Sequence, residues 1–169
     1  MLYNLDVINS IKDCLIEKKQ TLSVAESVTS GHLQAALSAA TDASLFFQGG
    51  ITVYNAGQKT RHLNVEPIYA LEDNCVSEEV ARQMALEVNN LFISHYGIGI
   101  TGYASPVPEL NIHELFAYVA ITCKNEVLLQ KKISSLKKDS IEVQVDFTCQ
   151  ILLELQKLLQ REKVKVAAC

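Results

Sequence analysis

The sequence predicts a three-layer α/β/α domain on a mixed, mostly parallel sheet of about five strands. Segments with helical and with strand-like periodicity alternate along the 169-residue chain, which is typical of the α/β class. Two strand-like runs near the carboxyl-terminal end are separated only by residues 124–126, a turn short enough to force antiparallel pairing. With 49% hydrophobic residues and a net charge of −4, we expect residues 1–169 to form one domain.

The first half of the chain alternates helix and strand. Apolar residues recur at helical spacing over residues 4–19, and the short run 21–25 is typical of a buried strand. Ser and Thr side chains at 27–30 can cap a helix over 30–40. Gly49 and Gly50 then open a second strand over 51–54, and a short helical turn is predicted near 59–63.

The second half begins with a helix from Ser77 to about residue 95. Acidic residues follow Ser77, where the helix dipole favours them, and apolar positions such as Met84 and Leu91 are expected to face inward. A strand over 98–102 and a proline-containing loop over 103–111 come next. The hairpin strands are 115–123 and 127–133. The last helix spans 139–161, ahead of a frayed tail at 162–169, and its inward positions are Ile141, Val145, Cys149, Leu152, Leu155 and Leu159.

Charge and cysteine content exclude several classes of function. The 15 Lys and Arg residues against 19 Asp and Glu residues form no basic block, which argues against a nucleic-acid partner. Neither a membrane span nor a secretory signal is recognisable, so we expect a cytoplasmic protein without a membrane partner. The 5 cysteines include no C-x-x-C pair and are predicted to be reduced. The 4 histidines are scattered, so we expect neither a metal nor a cofactor.

Candidate functional residues follow the first three strands, because ligands of open α/β sheets bind at the carboxyl ends of the strands. Ser27 lies at a strand-to-helix turn, where backbone N–H groups can stabilise an oxyanion, although it can equally be a helix cap. Lys59 in a dry cleft can lose its proton and act as a base toward a serine, with Tyr54 as a relay. The alternative is a solvated lysine beside a half-buried strand tyrosine. Cys75 precedes a helix start, where a thiolate would be stabilised, but we interpret it as a structural cysteine rather than a reactive one.

Four sequence blocks follow one another in a recognisable order: A-E-S-V-T-S-G at 25–31, F-Q-G-G-I-T-V-Y-N at 47–55 with Lys59, V-S-E-E-V-A-R-Q-M-A at 76–85 and I-G-I-T-G-Y-A at 98–104. Over about residues 20–160 the chain resembles the CinA carboxy-terminal domain family. Members of this family are also called competence-damage inducible proteins, and the resemblance implies a three-layer α/β/α fold. We expect no counterpart of the amino-terminal domain of full-length CinA proteins.

The resemblance implies a nicotinamide-nucleotide amidase of the PncC type. Such an enzyme hydrolyses the carboxamide of nicotinamide mononucleotide to nicotinic acid mononucleotide and ammonia in NAD salvage. By the same resemblance Ser27 matches the nucleophile, and Tyr54 and Lys59 match its partners. The substrate is then a small nucleotide, and association into a homo-oligomer is left open. The substrate-binding set comprises Glu26, Thr29, Ser30, Gly31, Asn55, Thr101, Gly102, Lys137 and Lys138.

The same blocks also depart from the family pattern. A glycine of that pattern is replaced by Ser30, its glycine-rich loop by residues 105–111, and its K-P-V-G segment by residues 113–116. Its basic stretch is represented only by Lys137 and Lys138, and a lysine lacks the two-pronged geometry of arginine. The alternative function is therefore a catalytically inactive relative that binds a nucleotide or a protein partner. A long Lys59–Ser27 distance, or a cleft filled by Phe116 or Leu110, would favour this alternative.

Overall fold

The computed structural model describes residues 2–68 and 74–167, which pack around a five-stranded mixed sheet. The central strand β1 pairs in parallel with β2 and β3, whereas β4 pairs antiparallel with β3 and with β5. The order across the sheet is β2-β1-β3-β4-β5, which confirms the predicted mixed α/β architecture. The strands are β1 (Leu22–Glu26), β2 (Phe47–Thr52), β3 (Tyr96–Gly102), β4 (Phe116–Cys123) and β5 (Glu126–Ser134).

Helices cover both faces of this sheet. One face carries α1 (Leu5–Glu17), α2 (His32–Ser38) and α5 (Ser140–Ala167). The other face carries α3 (Ala56–Leu63) and α4 (Glu78–Phe92). No helix within the described ranges combines the length and the apolar character that crossing a membrane requires.

Two apolar cores hold the layers together. The larger one lies under α1, α2 and α5 and includes the fully buried Leu15 and Phe147; each such side chain stabilises the fold by about 1.5–3 kcal/mol. The smaller one lies under α3 and α4 and includes Leu63 and Met84. Residues four apart share one face of a helix, so the burial of Leu63 also turns Lys59 toward the interior.

Helix α4 lies directly on β3 because glycines leave room for it. A Cβ atom at Gly99 would collide with the backbone of Ala81 and Ala85, and one at Gly97 would collide with Ala85 and Asn89. The later glycine of β3 thus meets the earlier residues of α4, and the earlier glycine meets the later ones. Helix α4 therefore runs antiparallel to β3. Its first turn, and the residues that lead into it, therefore lie at the carboxyl edge of the parallel strands.

Two boundaries near β1 differ from the prediction. β2 begins at Phe47 rather than at residue 51, and Gly50 lies inside the strand, where a Cβ atom would collide with Val24 of β1. α3 begins at Ala56 rather than near residue 59, because the side chain of Asn55 accepts a hydrogen bond from the Gln58 N–H at 3.0 Å and caps the helix.

The ends of the two long helices also differ from the prediction. α4 ends at Phe92 because Ile93 adopts a left-handed backbone with φ 51°. α5 continues to Ala167 through most of the predicted tail, where no Gly or Pro interrupts it, and residues 168–169 lie outside the described part of the chain. Leu91 and Ile141, which were predicted to face inward, are 51% and 55% exposed, since both lie in terminal turns of their helices.

Candidate active site

Ser27 follows the last residue of β1, at the carboxyl edge of the sheet. Its N–H donates to the carbonyl oxygen of Ile100 in β3 at 3.1 Å, and its own carbonyl oxygen accepts from the Ser30 N–H at 3.2 Å. The backbone is thus held on both sides where the chain turns from β1 toward α2. This fixes the position of the side-chain oxygen Oγ, which belongs to a residue only 7% exposed.

The carboxylate of Glu26 caps the amino-terminal end of α2. It accepts hydrogen bonds from the N–H groups of Gly31 at 3.0 Å, Leu33 at 3.1 Å and Gln34 at 2.9 Å, and the residue is fully buried. Charge-assisted bonds at the positive end of the helix dipole compensate for this burial. Glu26 therefore fixes the turn that carries Ser27, and the structure places it behind the site rather than among the residues that line it.

The turn after Ser27 presents backbone donors. Ser30 and Gly31 adopt left-handed backbone angles, with φ 51° and 99°, so the chain reverses sharply here. The N–H groups of Val28 and Thr29 have no hydrogen-bond partner among the residues that the structure describes. An unpartnered backbone N–H next to a serine hydroxyl is the kind of donor that an oxyanion hole uses; Val28 lines the cavity described below, whereas Thr29 does not.

Lys59 reaches Ser27 from α3, on the other face of the sheet from α2. Its Nζ donates to Ser27 Oγ at 2.9 Å, and the lysine is only 1% exposed. Once the amine loses a proton, its nitrogen can accept the hydroxyl hydrogen over the same distance. The structure therefore brings together two of the three residues that the sequence proposes as catalytic.

Burial also changes the acidity of this lysine. Desolvation lowers the pKa of Lys59 from its ordinary value of 10.5, and the nearby Cys75 opposes this to a smaller extent. Within residues 2–68 and 74–167 no carboxylate forms an ion pair with Lys59. A desolvated amine gives up its proton more readily, as a general base must.

A cavity of about 610 Å³ opens above the Ser27–Lys59 pair, a size typical of small-molecule sites. We call its buried lining residues the floor; they are Ser27, Val28, Lys59, Cys75 and Thr101. We call its exposed lining residues the mouth; they are Tyr54, Asn55, Asn74 and Ser105.

Tyr54, the third proposed catalytic residue, lies at the mouth. Its side chain is 67% exposed, and no hydrogen bond joins it to Ser27 or Lys59 among the described residues. Proton transfer between Ser27 and Lys59 needs no relay, because the two side chains are in direct contact. The position of Tyr54 instead suits contact with a bound ligand.

The remaining predicted residues fall into two groups. Asn55, Thr101 and Gly102 line the cavity, and the Thr101 hydroxyl donates to the carbonyl oxygen of Cys75 at 2.6 Å. The others do not line it: Thr29 is buried and its Oγ1 has no partner among the described residues, Ser30 and the two lysines are exposed, and Gly31 is partly exposed. That second group comprises Thr29, Ser30, Gly31, Lys137 and Lys138.

Several lining residues were not proposed from the sequence. Cys75 and Asn74 precede α4, and the antiparallel course of α4 along β3 brings them to this edge. Ser140 and Gln144 lie four residues apart at the start of α5 and line the cavity from one helix face. Periodicity along the chain cannot reveal these neighbours, because it does not specify where a helix begins relative to the sheet.

The altered loops leave the cavity open. Neither Phe116 nor Leu110 is among its lining residues. Phe116 packs edge-on against Tyr103, with ring centroids 5.6 Å apart, and Lys132 Nζ lies 3.9 Å from the centre of its ring. Within the described ranges no cluster of His, Cys, Asp and Glu side chains could hold a metal ion.

Fold and site together define an α/β protein with a buried serine–lysine pair at the carboxyl edge of a mixed sheet. The sequence profile of the CinA C-terminal domain matches residues 4–159. The chain therefore belongs to the CinA C-terminal domain family, as its sequence blocks predict.

Curated relatives carry the same family names. A CinA-like protein of Picosynechococcus sp. is 43% identical over 96 residues, which are 57% of this chain and 23% of that protein. A putative competence-damage inducible protein of Natranaerobius thermophilus is 36% identical over 103 residues, which are 61% of this chain and 24% of that protein. The matched region is thus about a quarter of the length of these relatives.

Solved structures share the fold over nearly the whole chain. A CinA superfamily protein from Klebsiella pneumoniae superposes with a TM-score of 0.86 at 23% identity, covering 92% of this chain and 97% of that one. Another from Escherichia coli gives a TM-score of 0.81 at 27% identity, covering 92% and 88%. The three-layer fold is therefore that of the CinA superfamily.

Proposed function

We propose that this protein is an amidohydrolase in which Ser27 attacks a carboxamide and Lys59 acts as the base. The observation that carries the proposal is the 2.9 Å contact between Lys59 Nζ and Ser27 Oγ, made by two buried side chains. The family resemblance implies a nicotinamide carboxamide as the substrate, with nicotinamide mononucleotide as the reference compound and nicotinic acid mononucleotide and ammonia as its products.

The first half of the reaction forms an ester with Ser27. The neutral amine of Lys59 accepts the hydroxyl proton while Oγ bonds to the carboxamide carbon, and the carbonyl electron pair moves onto oxygen. The Val28 N–H, whose residue lines the cavity next to Ser27, donates to that oxyanion. When the oxyanion collapses, the C–N bond breaks and the Lys59 ammonium protonates the departing nitrogen, which leaves as ammonia.

The second half releases the acid. A water molecule gives its proton to the now neutral Lys59 and bonds to the ester carbon. Collapse of the second oxyanion breaks the bond to Ser27 Oγ, which recovers its proton from Lys59, so the enzyme returns to its starting state. One amide and one water thus yield one carboxylic acid and one ammonia, and Lys59 serves alternately as base and acid.

The compartment belongs to the same proposal. Cys14, Cys75, Cys123 and Cys149 form no disulfide, and reduced thiols are typical of proteins in the cytosol. We therefore propose that this activity takes place in the cytoplasm.

Ammonia release tests the proposal. Nicotinamide, its riboside and its mononucleotide are incubated with the wild-type chain, with Ser27→Ala and with the control Ser38→Ala, whose serine is exposed on α2. We expect Ser27→Ala to lose at least about 1,000-fold in kcat, and Ser38→Ala to match the wild type. Because the neutral amine is the base, kcat/KM rises with pH through the lowered pKa of Lys59.

Two results would contradict the proposal. Unchanged turnover in Ser27→Ala would show that another group performs the chemistry. Ligand binding without any ammonia release by the wild-type chain would favour the alternative, a catalytically inactive relative that binds a nucleotide or a protein.

A further inference from the structure

Positive charge is nearly absent from the part of the cavity lining that the structure describes. Lys59 is the only Lys, Arg or His side chain among the lining residues that the structure describes. It lies at the floor in contact with Ser27 Oγ, and a neutral base cannot also neutralise a bound phosphate. The undescribed segment 69–73 adds no basic residue, since its sequence is Y-A-L-E-D.

Carboxylates already occupy two of the helix amino termini near the cavity, those of α2 and α5. Such termini commonly bind phosphate through their N–H groups. At α5, however, the Asp139 carboxylate accepts from the Ile141 N–H at 2.9 Å and from the Glu142 N–H at 3.1 Å. At α2 the Glu26 carboxylate occupies the same position, and at α3 the amide oxygen of Asn55 is the cap. A phosphate at α2 or α5 would therefore meet a carboxylate already in place.

The nearest surface lysines do not change this balance. Lys137 and Lys138 are exposed and do not line the cavity. They are followed by Asp139 and Glu142, so the segment that enters α5 carries no net positive charge. A phosphate dianion that enters the cavity would lose part of its hydration shell. The lining would not compensate for this loss with charge-assisted hydrogen bonds.

Away from the floor, the cavity is lined by neutral hydrogen-bonding groups and tyrosine rings. Asn74 Nδ2 donates to the Tyr103 hydroxyl at 3.2 Å, and Ser105 and Gln144 lie on the same lining. Amide and hydroxyl groups of this kind exchange hydrogen bonds with sugar hydroxyls, and the rings of Tyr54 and Tyr103 suit contact with a planar ring.

We infer that the site selects a ring carboxamide bearing a neutral, hydroxyl-rich substituent, such as an unphosphorylated sugar, over the same compound carrying a phosphate. The carboxamide part of this inference rests on the proposed function. The preference for an uncharged substituent rests on the charges of the residues that line the cavity. It makes the substrate a nucleoside-type amide rather than a nucleotide.

A pair of compounds that differ only in the phosphate tests this inference. Nicotinamide riboside and nicotinamide mononucleotide are compared by kcat/KM for ammonia release with the wild-type chain, and by calorimetric Kd with Ser27→Ala. We expect the riboside to be favoured by about tenfold or more in both measurements, the effect of one missing charged contact. Equal values, or values that favour the mononucleotide, would overturn the inference.

The binding measurement separates the two proposals. If no ammonia is released but Ser27→Ala binds the riboside more tightly, the proposed function fails and the inference on selectivity stands. If neither compound binds, the inference is overturned as well.

A charge placed in the lining provides a second test. Gln144→Arg adds a guanidinium to the cavity, whereas Gln160→Arg makes the same change at an exposed position about 24 Å further along the same helix. We expect Gln144→Arg to shift the preference toward the mononucleotide by about tenfold, and Gln160→Arg to leave it unchanged. An equal shift in both variants would count against the inference.

Discussion

The floor and the mouth of the cavity differ in how firmly the fold holds them. At the floor, Ser27 and Lys59 are almost completely buried and touch each other, and each lies beside a capped helix terminus. At the mouth, Tyr54 is 67% exposed, and Ser105 lies in a loop. The contrast indicates that residues at the mouth can be replaced without disturbing the core, whereas residues at the floor cannot.

The largest expected effect comes from removing the amine of Lys59, the proposed base at the floor. Lys59→Met keeps much of the apolar side chain but loses the amine, and we expect kcat to fall by about 1,000-fold or more, because Ser27 then has no proton acceptor. Steady-state ammonia release measures this, with Lys157→Met, an exposed lysine on α5 outside the cavity, as the control. A near-normal kcat in Lys59→Met would show that Lys59 is not the base and that the buried floor does not supply the chemistry.

The second effect concerns the rigidity of the floor. Glu26→Ala leaves three N–H groups of α2 without their acceptor, and we expect the free energy of unfolding to fall by about 3 kcal/mol. Asp139→Ala removes the exposed cap of α5 and should cost only about 1 kcal/mol. Urea denaturation compares the two, and similar losses would show that Glu26 is an ordinary cap.

The smallest effect is expected at the mouth. Tyr54→Phe keeps the ring and removes the hydroxyl, and since no hydrogen bond links that hydroxyl to Ser27 or Lys59, we expect kcat to change by less than about tenfold. Tyr54→Ala removes the ring as well and should mainly raise KM, by about tenfold. Initial-rate kinetics separate the two constants. A Tyr54→Phe loss in kcat as large as that of Lys59→Met would place Tyr54 in the proton transfer itself.

The layers of the fold could be predicted because each element carries its own periodic pattern. The Ser27–Lys59 pair could be proposed because both residues follow parallel strands, whose carboxyl ends meet at one edge. Caps were harder to predict: Asn55 begins α3 at Ala56, and Glu26 is a cap although it precedes its helix by several residues. Nor does periodicity specify where α4 and α5 begin against the sheet, so Cys75 and Gln144 became evident only in three dimensions.

The cap that Glu26 provides has a consequence for the dynamics of the site. One residue ends β1 and also holds the first turn of α2, so that turn cannot open without releasing a buried charge to solvent. Strand and helix are therefore expected to form one cooperative unit, in which local opening is as rare as opening of the sheet centre. Ser27, the proposed nucleophile, is then expected to be either correctly placed or lost together with the fold, so that a folded but misaligned state is rare.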